Sequence, residues 1–127
     1  MRKEINDWFE QSLAEKKTAI DCASSKNYYA AAFHPHQAVE FGLKALYISK
    51  KRKLPKKTHS ILELAKELNL SERIVEIARE LSPLYTLTRY PDAAGDAPFK
   101  IYSKEKVSLL IEMMEELVKW LESSIQK

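Results

Sequence analysis

Glycine and cysteine are scarce in this chain of 127 residues, which has two glycines and a single cysteine, Cys22. Tight β-turns depend on glycine, so its scarcity argues against a hairpin-rich sandwich or barrel. One cysteine cannot form an internal disulfide bond or a zinc site made of several cysteines. The composition therefore favours a helical protein from a reducing compartment.

Long hydrophobic runs are missing as well. No segment approaches the roughly 18 uninterrupted apolar residues that a membrane span needs. The N-terminus does not join basic residues to an apolar run, as a signal peptide would. We therefore expect a cytoplasmic protein without a membrane segment. The length predicts a single domain over residues 1–127, for which 45% hydrophobic and 9% aromatic residues supply a core.

Acidic residues are absent from one short segment. Residues 50–57 hold six positive charges and no acid, so the rest of the chain has a net charge of −3 although the whole chain has +3. Because the basicity is local, it argues against a protein that coats DNA with its whole surface. The segment is either a solvated loop or a region that steers RNA or a nucleotide to its neighbourhood.

Apolar residues recur at helical spacing in five segments. The pattern predicts helices at about 3–24, 27–53, 59–69, 72–87 and 104–125. Pro35 is expected to kink the second helix near Phe33 without breaking it. Thr58 and Ser103 are predicted N-caps, and residues 88–102 are predicted to be a loop. The predicted fold is all-α, an antiparallel up-and-down helical bundle of four to five helices.

Several sequence motifs follow one another along the chain. Trp8 and the string YYAAAF at residues 28–33 come first, followed by Gln37, Glu40 and Lys44 among small and apolar residues; then come His59 with Leu62 and the string RYPD at residues 89–92. In this order the motifs resemble the HEPN (higher eukaryotes and prokaryotes nucleotide-binding) domain family. The resemblance implies an up-and-down bundle that forms a homodimer. It also implies a nucleotide-associated binding module that works beside a minimal nucleotidyltransferase protein, as in a toxin-antitoxin-like system.

Other members of that family are metal-independent ribonucleases with an arginine, four to six intervening residues and a histidine. Arg89 stands where the arginine is expected, but no histidine follows it in range. Arg52 and His59 have the right spacing but lie in the link between the second and third helices. We therefore expect no catalytic activity from the chain alone. A ribonuclease using Arg52, His59 or the Arg89 loop is one alternative, and a dimeric scaffold without a ligand is another.

Five residues form the predicted ligand site, namely Glu40, Lys44, Arg89, Tyr90 and Asp92. Arginine can donate two parallel hydrogen bonds to phosphate oxygens, and Asp92 is suited to a ribose hydroxyl. The expected ligand is a nucleotide or an RNA phosphate. In the competing interpretation Arg89 pairs with Asp92 or Glu40 and fixes the loop, while Glu40 and Lys44 form an ordinary ion pair within the helix.

The histidines do not predict a metal site. His34 and His36 are two residues apart, so on a helix they point to different faces, and only His36 shares a face with Glu40. His59 is expected to hydrogen-bond to the start of the third helix. No metal and no cofactor is expected.

Overall fold

A computed structural model describes residues 1–125, and these form α-helices joined by short links. No β-strand occurs within this range. The elements are α1 Arg2–Ser24, α2 Tyr28–Lys51, α3 Ile61–Glu67, α4 Glu72–Leu81, α5 Leu84–Leu87, α6 Pro91–Ala94, a 3₁₀ turn Pro98–Lys100, and α7 Lys104–Ile125. The predicted all-α bundle is confirmed. The end of the predicted domain, residues 126–127, lies outside the described residues.

Helix α2 is the central element and packs against both α1 and α7. It approaches them closely because Gly42 has no side chain: a Cβ there would lie 2.5 Å from Cδ1 of Leu121 and 3.1 Å from Oγ of Ser12. The Ser12 hydroxyl donates to the carbonyl of Ala38 at 2.6 Å, which satisfies a buried polar group at the same contact. Pro35 lies inside α2 without interrupting it, as predicted.

Helix α7 closes the core with one apolar stripe. Its buried residues are Val107, Leu110, Met114, Leu117, Val118 and Leu121. Apart from the adjacent pair Leu117 and Val118, they recur every three or four positions, the spacing that the sequence showed. The helix begins as predicted, since Oγ of Ser103 accepts a hydrogen bond from the backbone N–H of Lys106 at 3.2 Å.

The middle of the chain forms more and shorter helices than predicted. Thr58 is not the N-cap of α3; Ser60 is, and its Oγ accepts from the backbone N–H of Glu63 at 3.1 Å. The predicted helix 72–87 ends at Leu81, because Pro83 has no N–H and starts the separate α5. The predicted loop 88–102 contains α6 and the 3₁₀ turn.

None of the helices found within residues 1–125 is long and apolar enough to cross a membrane.

Candidate functional site

A buried carboxylate organises the candidate site. Glu40 lies on α2 with 1% of its side chain exposed. Its Oε2 accepts a hydrogen bond from Nζ of Lys44, one turn later, at 2.9 Å. Lys44 is itself buried, and its Nζ lies 5.2 Å from the ring centre of Trp8 on α1. The predicted Glu40–Lys44 ion pair therefore exists, and its burial makes it costly to disrupt.

His59 completes this cluster from the link before α3. Its Nδ1 lies 3.3 Å from Oε1 and 3.2 Å from Oε2 of Glu40. The expectation that His59 would hydrogen-bond to the start of α3 was therefore wrong, because Ser60 caps the helix and the imidazole turns back toward α2. A carboxylate can only accept, so Nδ1 carries the proton and Nε2 is left for solvent or a ligand. The side chain is 60% exposed.

A second histidine, His36, lies near the same Glu40 carboxylate. His36 is fully buried, with Nδ1 2.9 Å from Oε1 of Gln37 and 3.8 Å from Oε1 of Glu40. Its Nε2 has no hydrogen-bond partner within residues 1–125. Burial lowers the pKa of His36, and this outweighs the opposing effects of Gln37 and Glu40. His36 is therefore a neutral neighbour of the Glu40 carboxylate at physiological pH. No group of three or more histidine, cysteine or acidic side chains that could hold a metal occurs in the described part of the chain.

Arg89 lies just after α5 among aromatic rings. Its guanidinium carbon is 5.2 Å from the ring centres of both Phe33 and Tyr85 and 5.6 Å from that of Tyr90. Its side chain forms no salt bridge with any acid in residues 1–125, so the structure does not contain the expected alternative pairs with Asp92 or Glu40. The guanidinium donors are therefore available to an external anion.

Tyr85 connects Arg89 to the buried cluster. The His59 ring stacks on it with 4.4 Å between ring centres and 14° between planes. The His36 ring is 5.3 Å from it. Tyr85 falls within the predicted helix at 72–87, and no local motif marks it as a site residue. Its role depends on contacts with residues that are distant in sequence.

A pocket of about 560 Å³ opens beside Arg89. Its lining consists of Tyr29, Thr88, Arg89, Pro91, Ala97, Pro98 and Phe99. Two of these residues, Tyr29 and Phe99, present exposed aromatic rings. Arg89 is thus common to the pocket and to the group of rings around Tyr85.

The predicted site residues are distributed between these two regions. Glu40 and Lys44 meet in the buried cluster, and Arg89 contacts Tyr90 beside the pocket. Asp92 is exposed on α6 and is not among the pocket-lining residues. Of the alternative nuclease pair, His59 joins the cluster. Arg52 ends α2 as an exposed residue in the left-handed conformation and makes no side-chain hydrogen bond within residues 1–125.

The sequence matches the HEPN domain family over residues 5–124. The crystal structure of TT1696 from Thermus thermophilus is similar, with 28% sequence identity and a TM-score of 0.84, over 94% of this chain and 97% of that one. The structure of ST0689, an archaeal HEPN homologue, has 26% identity and a TM-score of 0.80, over 95% and 97%. No curated protein matches the chain. Both structural similarities extend over the whole bundle.

Proposed function

This chain belongs to the HEPN domain family, and on that premise we propose that it is a cytoplasmic nucleotide-binding module that holds a ligand phosphate with Arg89. The observation that carries the proposal is the guanidinium of Arg89, placed among three aromatic rings and beside a pocket, without an acidic partner in residues 1–125. The rings restrict the side chain, so less conformational entropy is lost when a phosphate binds.

The pocket next to Arg89 suits a nucleobase. Its volume of about 560 Å³ is in the range of small-molecule sites. The rings of Tyr29 and Phe99 can stack on a base, an interaction worth about 1–3 kcal/mol. A ligand with an aromatic base and a phosphate would use both features, whereas inorganic phosphate would use only Arg89.

Calorimetric titration of ATP and GTP into the wild type and Arg89→Ala tests this proposal. Loss of charge-assisted hydrogen bonds should weaken binding roughly 10- to 150-fold. Arg79→Ala is the matched control, because Arg79 is also exposed but lies on α4, outside the pocket. An absence of binding by the wild type at millimolar nucleotide, or an equal loss in both variants, would refute the Arg89 site.

We further propose that the module is a homodimer that acts with a minimal nucleotidyltransferase protein, in a toxin-antitoxin-like arrangement. Exposed aromatic rings at Tyr29, Tyr90 and Phe99 support an association surface. Light scattering should give about twice the chain mass of 14.7 kDa, and a value near 14.7 kDa at tens of micromolar would contradict the dimer. Co-expression with a small nucleotidyltransferase encoded next to this gene should yield a complex, and separate elution of the two proteins would contradict the partnership.

A metal-independent ribonuclease is the second candidate, and one observation favours it. Arg89 and His59 both contact the ring of Tyr85, so the structure gathers an arginine and a histidine that the sequence spacing does not. We expect no cleavage of single-stranded or structured RNA by the purified chain. Cleavage that is lost in both Arg89→Ala and His59→Ala, but retained in Arg52→Ala, would establish the ribonuclease instead. If the chain neither binds nucleotides nor cleaves RNA, a dimeric scaffold is the remaining candidate function.

A further inference from the structure

We propose that His59 is a second phosphate-binding residue, positioned by Glu40, and that the site therefore prefers nucleoside di- and triphosphates to monophosphates. The inference rests on the proposed nucleotide-binding function and adds the class of ligand. Its basis is the order of the groups: the base pocket, then Arg89, then the ring of Tyr85, then His59.

Contacts with the Tyr85 ring connect Arg89 to His59. Arg89 lines the pocket, whereas Tyr85 and His59 do not. The guanidinium carbon of Arg89 is 5.2 Å from the ring centre of Tyr85, and the imidazole centre of His59 is 4.4 Å from the same point. In the proposed binding mode, a ligand with its base in the pocket meets Arg89 first, and phosphates further along the ligand reach His59.

The partners of His59 determine which of its atoms meets the ligand. Glu40 occupies Nδ1, and the side chain is exposed, so Nε2 is available to a ligand. An imidazolium can donate from Nδ1 to Glu40 and from Nε2 to a phosphate oxygen at the same time.

Several charged or titratable groups lie around His59. Lys44 pairs with the same Glu40 carboxylate, and Arg89 contacts the ring of Tyr85. His36 lies behind Glu40, and Tyr85 stacks on the ring. Glu40 is the nearest of these charges and contacts the ring directly.

The experiment compares the binding of AMP, ADP and ATP by calorimetry. In the wild type we expect ADP and ATP to bind more tightly than AMP. His59→Ala should weaken ATP binding about 10-fold and leave AMP binding unchanged, whereas Arg89→Ala should weaken all three nucleotides. His34→Ala is the matched control, because His34 also pairs with a glutamate, Glu15, at 3.2 Å.

A further measurement tests the positioning role of Glu40. Nitrogen NMR should show the proton on Nδ1 of neutral His59 in the wild type and a mixture of tautomers in Glu40→Gln. If Glu40→Gln does not fold, the His59→Ala comparison stands alone, since that side chain is exposed.

The possible results separate this inference from the proposed function. Failure of the wild type to bind any nucleotide refutes the proposed function. Nucleotide binding that depends on Arg89 but is unchanged in His59→Ala, for ATP as for AMP, refutes this inference alone. An equal loss in His34→Ala and His59→Ala would also refute it, because the effect would not be specific to the site.

Discussion

Two histidine–glutamate pairs in this bundle have the same geometry and different surroundings. Nδ1 of His34 lies 3.2 Å from Oε2 of Glu15, and Nδ1 of His59 lies 3.2 Å from Oε2 of Glu40. In the first pair both side chains are partly covered, with 24% of His34 and 14% of Glu15 exposed. In the second the acid is buried and the histidine is 60% exposed. The distance between the partners therefore does not distinguish a site from a structural contact.

The two histidine–glutamate pairs differ in the residues that surround them. The Glu15–His34 pair connects α1 to α2, and no lysine or arginine in residues 1–125 shares its carboxylate. Glu40 is shared by Lys44 and His59, and the His59 ring leads through Tyr85 to Arg89. One pair joins two helices. The other holds an exposed histidine ring that stacks on Tyr85, and the Tyr85 ring also contacts Arg89.

The largest difference between the pairs should appear in stability. Glu40→Ala leaves the Lys44 ammonium, which is only 7% exposed, without its acid, so we expect a loss of about 3–5 kcal/mol in the free energy of unfolding. Glu15→Ala should cost about 1 kcal/mol or less, because its pair is reached by water. Urea denaturation of both variants measures the difference.

Replacing both members of the buried pair provides the control. Glu40→Met with Lys44→Met removes both charges and keeps similar volume, so it should recover most of the stability lost in Glu40→Ala. Equal losses in the free energy of unfolding in Glu40→Ala and Glu15→Ala would show that the burial of Glu40 does not make its ion pair more costly to disrupt.

Of the contacts in this cluster, only the pairing of Glu40 with Lys44 could be predicted from the sequence. Glu40 and Lys44 are four residues apart on a long helix, so their pairing follows from helical geometry. His59 is 19 residues from Glu40, at the predicted start of the third helix, and nothing in the sequence indicates that its ring turns back to α2. Predicting that contact requires knowing how the link after Lys51 is folded.

The fold shows the same limit. The long helices α1, α2 and α7 were predicted nearly to their ends, because many amphipathic turns reinforce one pattern. The four-residue helix α6 was missed, since a single turn has no period to detect, and α5 was predicted only as the end of the helix at 72–87. Tyr85, which connects the two halves of the candidate site, lies on α5, and its contacts join residues that are distant in sequence, which no local pattern reveals.

Removal of the connecting ring should have the next largest effect. Tyr85→Leu keeps apolar volume but removes the cation–π contact with Arg89 and the stacking with His59, so nucleotide binding should weaken about 3- to 30-fold. Tyr90→Leu removes only a contact with Arg89 and should have a smaller effect. Calorimetry on the two variants decides the matter, and a larger loss from Tyr90→Leu would place the ligand away from His59.

A smaller effect should appear in the pH dependence of stability. The pKa of His36 is lowered in the folded state, so the unfolded chain binds more protons as the pH falls below about 6.5. The stability that this group contributes is fully present above that pH and is lost below it. The free energy of unfolding should therefore fall between pH 7 and 5.5. Urea denaturation of His36→Gln across this range should show a shallower slope than the wild type, whereas His34→Gln should keep the contribution of His36. An unchanged slope in His36→Gln would contradict this assignment.

The smallest effect should come from the basic segment 50–57, which leads from α2 to the link before His59. Lys56 already lies 3.3 Å from Oε2 of Glu67 and 3.7 Å from Oε1 of Glu63, so its charge is partly neutralised. Lys53 and Lys57 are exposed and have no acid within salt-bridge distance in residues 1–125, so dissolved salt screens their charges.

Lys53→Gln with Lys57→Gln should therefore weaken nucleotide binding only a few-fold at low ionic strength and have almost no effect at about 0.15 M salt. Titrations at two salt concentrations measure this. A loss as large as that of Arg89→Ala, persisting at high salt, would move the phosphate to the basic segment, and the buried Glu40 cluster would then be purely structural.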